Sequence, residues 1–433
     1  MDAFRGGLGI LVLMGVAWAL SSHKRRFPFK IVFGGIALQF ALALLVLKTD
    51  WGRAFFDGIG AIVSLILVAC DEGAGFVFGA LAGKSETHPY VQWFAVPGIK
   101  ILTTIIVCST LSAIGYHYGI LQRVVAGMAW VMSRVLGVSG AESLSCAANV
   151  FLGQTEAPLL VRPYIPTMTR SELMAVMTGG FATIAMGVMA IYVGMLGLDA
   201  DGNPSDARRI EVARHILTAS LMSAPAAFVM AKIMMPEVEE PKTGKHVTAK
   251  VDLETRNGLD AATLGASQGM TLAINVIAML IAFIAMIKSI NLVFEWFGTP
   301  SDPFERVFAP PPLTVQGILG VIFMPVAYFI GVESKDLQSF GSLLGTAMAT
   351  NEFLAYSSLS EMLKAHAISD RSATLAMYSL CGFANIGSMG IQIAGIGSMA
   401  PGRRPDLVTL APRAMLGGAM ASWCTGCIAG MLT

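Results

Sequence analysis

The sequence predicts an all-α integral membrane protein made of two related halves, and three observations carry that expectation. The first is composition: 55% of the 433 residues are hydrophobic and 13% are charged, with a mean hydropathy of +0.67. That is more apolar surface than a water-soluble core can hide. The second is a series of apolar segments near the ~20 residues a helix needs to cross a bilayer. The third is a repeat. Gly153-Gln154-Thr155-Glu156-Ala157-Pro158 and Asn351-Glu352-Phe353-Leu354-Ala355-Tyr356 each set an acid inside an apolar stretch. Each is preceded by Gly-Val (Gly137-Val138, Gly331-Val332) and followed by Gly-Phe-Ala (Gly180-Phe181-Ala182, Gly382-Phe383-Ala384).

Taken in order, residues 8–20 are the first candidate span. Ala17-Trp18-Ala19 resembles a signal cleavage site, yet Lys24, Arg25 and Arg26 follow directly, and positive charge on that flank marks a retained span whose C-terminal end stays in the cytoplasm. Residues 31–47 form the second span. Residues 54–83 are apolar but broken by Asp57, Asp71, Glu72 and glycines, and read as an external helix and loop. Residues 99–115 form the third span. Residues 120–136 carry Arg123 and Arg134 among Leu121, Val124, Val125, Met128, Val131 and Val135, an interfacial pattern. Residues 313–330 occupy the same place in the second half, interrupted by Pro325.

The segments 143–165 and 339–363 each hold one of the two acids beside Gly, Pro or Asn and read as re-entrant hairpins, because non-helical backbone at membrane depth is tolerated where it faces protein or a water-filled cavity. Spans at 173–196, 216–235, 270–287, 373–400 and 410–432 bring the number to about eight. Placing Lys24, Arg25 and Arg26 inside then puts Arg162, Arg170, the loop of Lys242, Lys245 and Lys250, and Arg403-Arg404 inside as well. The N- and C-termini, the acidic loop 199–206 and the Pro-rich stretch 300–312 fall outside. Three spans separate the hairpins, so they enter from opposite faces and the halves are inverted repeats, with sites expected near the midplane where broken helices meet. The divisions are 1–118 (scaffold helices and external helix), 119–236 (first transport repeat), 237–312 (cytoplasmic loop and long scaffold helix) and 313–433 (second, inverted transport repeat).

A carboxylate at mid-membrane depth costs about 2.5 to 3.5 kcal/mol on insertion scales, so an acid there serves a function or is firmly paired. Glu156 and Glu352 bind a ligand on that logic, or cap half-helices at the hairpin tips. Around them lie Asn149, Gln154, Thr155, Thr183, Asn351, Asn385 and Ser388, a donor and acceptor set suited to a neutral, hydroxyl-rich solute. No Arg sits at either acid, as a carboxylate or phosphate ligand would favour. Phe181 and Phe383 can stack on a flat ring or serve as core. Gly179-Gly180 and Gly382 make local unwinding plausible, which would free carbonyls for a cation. The net charge of +1 offers no basic field for nucleic acid. The six cysteines lack the spacing of a disulfide framework, and Cys424-Thr425-Gly426-Cys427 reads as structural.

These motifs, with Cys381-Gly382-Phe383-Ala384-Asn385, resemble the concentrative nucleoside transporters over the stretch from Gly137 to the C-terminus. The resemblance implies a homotrimer in a cell membrane, a bacterial inner membrane, whose transport domains move as an elevator. It implies that Gln154, Thr155 and Glu156 read the base, that Glu352, Asn385 and Ser388 hold the ribose, and that Asn149, Leu152, Thr183 and Ile184 hold a sodium ion. Two positions depart from the family pattern, Ala347 or its neighbours where Lys is frequent and Met186 where a small residue is frequent. A proton-coupled carrier of nucleosides or another neutral solute shares the same architecture. A membrane enzyme using the buried acids is the reading from another class, although H-E-x-x-H and G-x-S-x-G are absent and the six histidines lie away from both acids.

Overall fold

A computed structural model describes residues 2–82, 97–199, 203–244, 255–298 and 314–433. The Pro-rich segment 300–312, Lys245, Lys250 and residues 200–202 of the acidic loop lie outside them. Every named element in the described residues is helical. After α1 (Asp2–Ala19) and α2 (Phe29–Lys48) the chain reverses sharply into α3 (Asp50–Phe78), with the Thr49 hydroxyl accepting from Gly52 N at 3.1 Å. A side chain at Gly52 would strike the Leu45 carbonyl, so the turn requires glycine.

Helix α3 corrects the expected helix and loop at 54–83. It is one continuous helix of 29 residues, so the loop expected within this stretch is absent up to Phe78. Its apparent breaks are contacts with α9 (Asp206–Met234): Gly60 lies against Ile210, while Asp57 and Asp71 pair with Arg214 at 2.8 Å and Arg209 at 3.5 Å. All of these contacts fall on the first turns of α9. Helix α4 (Pro97–His117) runs antiparallel to α10 (Gly258–Gly298), with Gly258 on Tyr118, Gly265 on Ser109 and Thr110, and Gly269 on Ile105 and Ile106. The four-residue spacing of Gly265 and Gly269 lets the two backbones close without loss of helix. At 41 residues α10 extends well past the expected 270–287.

The internal repeat is visible in backbone geometry. Helix α5 (Ile120–Leu136) ends at Gly137 with φ +76°, and α11 (Val315–Ile330) ends at Gly331 with φ +94°. Both glycines cap their helices in the left-handed region that other residues avoid, and both are followed by a buried valine, Val138 and Val332. Pro325 sits inside a continuous α11 and does not interrupt it.

The first hairpin descends as α6 (Gly140–Asn149) and returns as two 3-10 turns, Ala157–Val161 and Ile165–Thr167. Pro158, Pro163 and Pro166 remove the backbone donors that an α-helical return would need. The second hairpin is α12 (Leu337–Ala349) and α13 (Glu352–Lys364), broken at Thr350 and Asn351. The hairpins bracket the expected 143–165 and 339–363.

Their bases lie at opposite ends of the molecule. Ser139 Oγ donates to Glu172 at 2.6 Å and Lys232 pairs with Glu142 at 2.7 Å. Arg403 donates to the Met168 carbonyl at 2.5 Å. These contacts hold the first base beside the C-terminal end of α9 and the N-terminal ends of α7 (Arg170–Ala182) and α16 (Arg404–Leu432). At the second base Ser360 Oγ donates to the Met195 carbonyl of α8 (Met186–Leu196) at 2.9 Å. Arg371 of α14 (Asp370–Ser379) reaches the carbonyls of Gly331 at 2.7 Å and Gly430 at 3.1 Å, and Arg208 pairs with Asp370 at 3.5 Å. These mark the C-terminal end of α16 and the N-terminal end of α9. Both helices have 29 residues, about 43 Å at 1.5 Å per residue. The hairpins therefore enter from opposite faces, as inverted repeats require.

Two spans are broken near the middle. Thr183, Ile184 and Ala185 separate α7 from α8, and residues 380–385 separate α14 from α15 (Ile386–Met399). The expected span 373–400 is thus a pair of half-helices. The span that holds Gly179-Gly180 unwinds as expected, three residues further on at Thr183, while both glycines stay helical. Glycine is needed there for space, since a Cβ at Gly179 would lie 2.7 Å from Cys146 Sγ and one at Gly180 2.7 Å from Gln392 Nε2. Gly382 does lie in a break and presses on the other one, where a Cβ would lie 2.5 Å from the Phe181 carbonyl. Ser422 of α16 pins the crossing by donating to the Cys381 carbonyl at 2.7 Å.

Candidate functional site

The hairpin tips and the broken helices meet in one buried polar cluster. Asn351 caps α13, its side-chain carbonyl accepting from Leu354 N at 2.9 Å, which sets Glu352 on the first turn. The Glu352 carboxylate accepts from Tyr192 OH at 3.0 Å and from Asn385 Nδ2 at 3.0 Å. Asn385 in turn caps α15, its Oδ1 accepting from Ser388 N at 2.8 Å. Both ends of the Asn385 amide are therefore committed and its orientation is fixed. Tyr192 is held by stacking on Tyr356 at 4.1 Å and 13°, and Tyr356 OH donates to the Met377 carbonyl at 3.1 Å.

From the opposite face, Gln154 Nε2 donates to Ser388 Oγ at 3.2 Å. The tip of the first hairpin thus touches the same half-helix start that Glu352 holds through Asn385. Thr155 rests on α15, where a Cβ at Gly395 would lie 2.8 Å from its Cγ2. Gln154, Glu352, Asn385 and Ser388 are thus brought together from three elements, the first hairpin tip, α13 and the capped start of α15, with Thr155 further along α15. Phe383 is half-buried at the break beside them. Glu156 is placed differently: it is exposed, its carboxylate turned back onto the backbone of Gly153 and its own residue. A side chain at Gly153 would collide with it. Phe181 is fully buried under Gly382 and Gly418 and belongs to the core.

The expected cation residues also converge. Thr183 Oγ1 donates to the carbonyls of Gly179 at 2.9 Å and Asn149 at 3.2 Å, joining the first hairpin to its broken partner span. Asn149 donates its amide to the Ser145 carbonyl at 3.1 Å, and its Oδ1, in a side chain 1% exposed, has no hydrogen-bond partner. A buried, orphaned amide oxygen beside a hydroxyl and unwound carbonyls fits a hard monovalent cation, which takes oxygen ligands. Leu152 lies in the adjoining tip, and the Ile184 carbonyl accepts from Ser220 Oγ at 3.3 Å. No cluster of three His, Cys, Asp or Glu suited to a metal occurs among the described residues. The cysteines are free and buried.

Two residues of the cluster were not anticipated. Tyr192 is the one polar residue in an otherwise apolar α8, and Gln392 the one amide in α15. A phenol or an amide set in an apolar helix at membrane depth was the available signal for each.

Comparison with known proteins agrees with this architecture. Residues 8–81 match "Na+ dependent nucleoside transporter N-terminus", residues 98–199 match "Nucleoside recognition" and residues 215–430 match "Na+ dependent nucleoside transporter C-terminus". The chain is 39% identical over 439 residues to solute carrier family 28 member 3 of Rattus norvegicus, covering 98% of this chain and 58% of that longer protein. It is 38% identical to an uncharacterized transporter of Haemophilus influenzae, covering 100% and 98% of the two chains. The solved structure of CNTnw in an inward-facing substrate-bound state superposes with a TM-score of 0.88 at 35% identity, covering all of both chains. A variant of CNTnw in an outward-facing state gives 0.88 at 34% identity, covering 100% of this chain and 98% of that one. With its two hairpins, broken spans and inverted halves matching along nearly its whole length, this chain belongs to the Na+ dependent nucleoside transporter family, a family of carriers and not of enzymes.

Proposed function

We propose that the protein is a secondary active symporter that imports nucleosides down a sodium gradient. The observation that carries this reading is the polar chain from Gln154 through Ser388 and Asn385 to Glu352, which spans the contact between two hairpins of opposite orientation. Its groups are neutral donors and one carboxylate, and a ligand met by such groups is an uncharged molecule with hydroxyls. Glu352 and Asn385 hold ribose hydroxyls, Ser388 adds a further polar contact, and Gln154 and Thr155 read the base, with Phe383 beside its ring. Glu156 faces the open side of the first hairpin tip and closes on the ligand once bound. Asn149 Oδ1, Thr183 Oγ1 and the carbonyls of Leu152 and Ile184 hold the sodium ion. Because one hairpin supplies both ion and base contacts, filling the ion site stabilises the tip that Gln154 needs, a direct route to coupling.

Transport proceeds by alternating access of elevator type, in which α7, α8, α9, α14, α15, α16 and both hairpins move against α4 and α10. The burial contrast between two of these helices supports this division: α9 is almost wholly buried, whereas α10 leaves most of its length exposed. The apolar outer face of α10, with Leu272, Ile274, Ile281 and Ile284 exposed, fits lipid or a second copy of this chain, and the reading is completed by a homotrimer in a bacterial inner membrane with both termini external. Uptake of labelled uridine into proteoliposomes, with and without an inward sodium gradient at fixed pH, tests the reading. Accumulation that follows a proton gradient and ignores sodium would replace the ion, and a chemically altered ligand would replace the class.

A further inference from the structure

We infer that Gln392 is a positioning residue that fixes which end of the Gln154 amide faces the ligand, and so determines that the base-reading hairpin presents N–H donors. The inference rests on the nucleoside reading above and names the base chemistry that site prefers. Gln392 is 0% exposed, on the second turn of α15, facing α7 and the first hairpin tip. Its Nε2 donates to the Met177 carbonyl at 3.1 Å and to Gln154 Oε1 at 3.1 Å.

A backbone carbonyl can only accept, so Met177 O fixes the orientation of the Gln392 amide. The second hydrogen of the same nitrogen then points at Gln154, which must turn its oxygen to meet it. Gln154 is left with its nitrogen toward the site, donating one hydrogen to Ser388 Oγ at 3.2 Å and holding one in reserve. Polarity thus runs from a carbonyl of α7 through two buried amides to the ligand. Gly180 makes room for this relay, since a Cβ there would lie 2.7 Å from Gln392 Nε2 and 3.1 Å from Gln154 Cβ. The other end of the site has opposite polarity, because the Glu352 carboxylate only accepts.

A base that offers a carbonyl acceptor to Gln154 is favoured over its amino counterpart, so uridine is preferred to cytidine and inosine to adenosine. Replacing Gln392 with Leu keeps the apolar bulk and removes the donor, which frees Gln154 to rotate and offer either end. The uridine-to-cytidine and inosine-to-adenosine ratios of apparent affinity should then fall about three- to tenfold toward parity, the range of one uncharged hydrogen bond.

The test is competition by these four nucleosides against labelled uridine uptake in wild type, Gln392→Leu, Gln154→Ala and the double variant. If Gln392 acts through Gln154, Gln392→Leu should change the ratios in the wild-type background and leave them unchanged in the Gln154→Ala background. Gln392→Met, equally unable to donate, serves as the second variant should the leucine protein fail to fold. Unchanged ratios in a folded, transporting Gln392 variant, or an equal change on both backgrounds, would overturn the inference. Failure of wild type to take up any of the four would instead overturn the nucleoside reading itself.

Discussion

Replacing Glu352 with Gln isolates the charge at the centre of the site from its hydrogen-bonding scaffold. An ionised carboxylate offers about four acceptor positions. Tyr192 OH and Asn385 Nδ2 occupy one each, both at 3.0 Å, leaving acceptors for two ligand hydroxyls. In the Glu352→Gln protein the new amide oxygen keeps Asn385, whose orientation is locked by the α15 cap, and the new amide nitrogen donates to Tyr192, whose hydroxyl turns to accept. The fold therefore survives with its internal bonds intact. One ligand hydroxyl now meets a neutral oxygen in place of a charged one, and the other meets a donor. Taken together these losses are about 2 to 3 kcal/mol, or roughly 30- to 150-fold in affinity. Titration calorimetry of uridine against purified protein, with thermal melting as the control for folding, reads both quantities. Affinity within about threefold of wild type at an unchanged melting temperature would refute contact between Glu352 and the ligand.

Further substitutions probe other parts of the site and fold. Gln154→Ala should reorder the ranking among nucleosides in competition assays, whereas Ser388→Ala should weaken all of them to a similar degree. Thr183→Val preserves volume but deletes the hydroxyl between Asn149 and Gly179; the sodium concentration for half-maximal uptake should rise about tenfold, since one oxygen ligand is lost, and an unchanged value would place the ion elsewhere. Gly331→Ala puts a side chain on a backbone at φ +94° and should cost about 1 to 2 kcal/mol of stability, seen as a lower melting temperature, with nucleoside affinity retained.

The repeat made much of this structure legible. Paired Gly-Val caps, paired acids and paired Gly-Phe-Ala blocks are local signals, and the caps, hairpins and both breaks formed at or directly beside those signals. The residues that failed did so because long-range contacts decided them. The charges of α3 looked like interruptions until Arg209 and Arg214, far along the chain, supplied their partners. Gly179-Gly180 marked a span that does unwind, but the break falls at Thr183 because the space at the glycines is filled by Cys146 and Gln392. Phe181 and Phe383 have the same neighbours in sequence, and only the crossing of the two breaks buries one and leaves the other half-open. Tyr192 and Gln392 belong to no motif, so their place in the site emerged only from geometry.

Sodium-coupled nucleoside import is tested most directly by labelled uridine flux into proteoliposomes containing the purified protein, at equal pH on both sides. An inward sodium gradient should drive uridine above its external concentration, the label should be recovered as uridine, and replacing sodium by choline should abolish the accumulation. Accumulation that persists in choline, or uridine that never exceeds its external concentration under any sodium gradient, would contradict it.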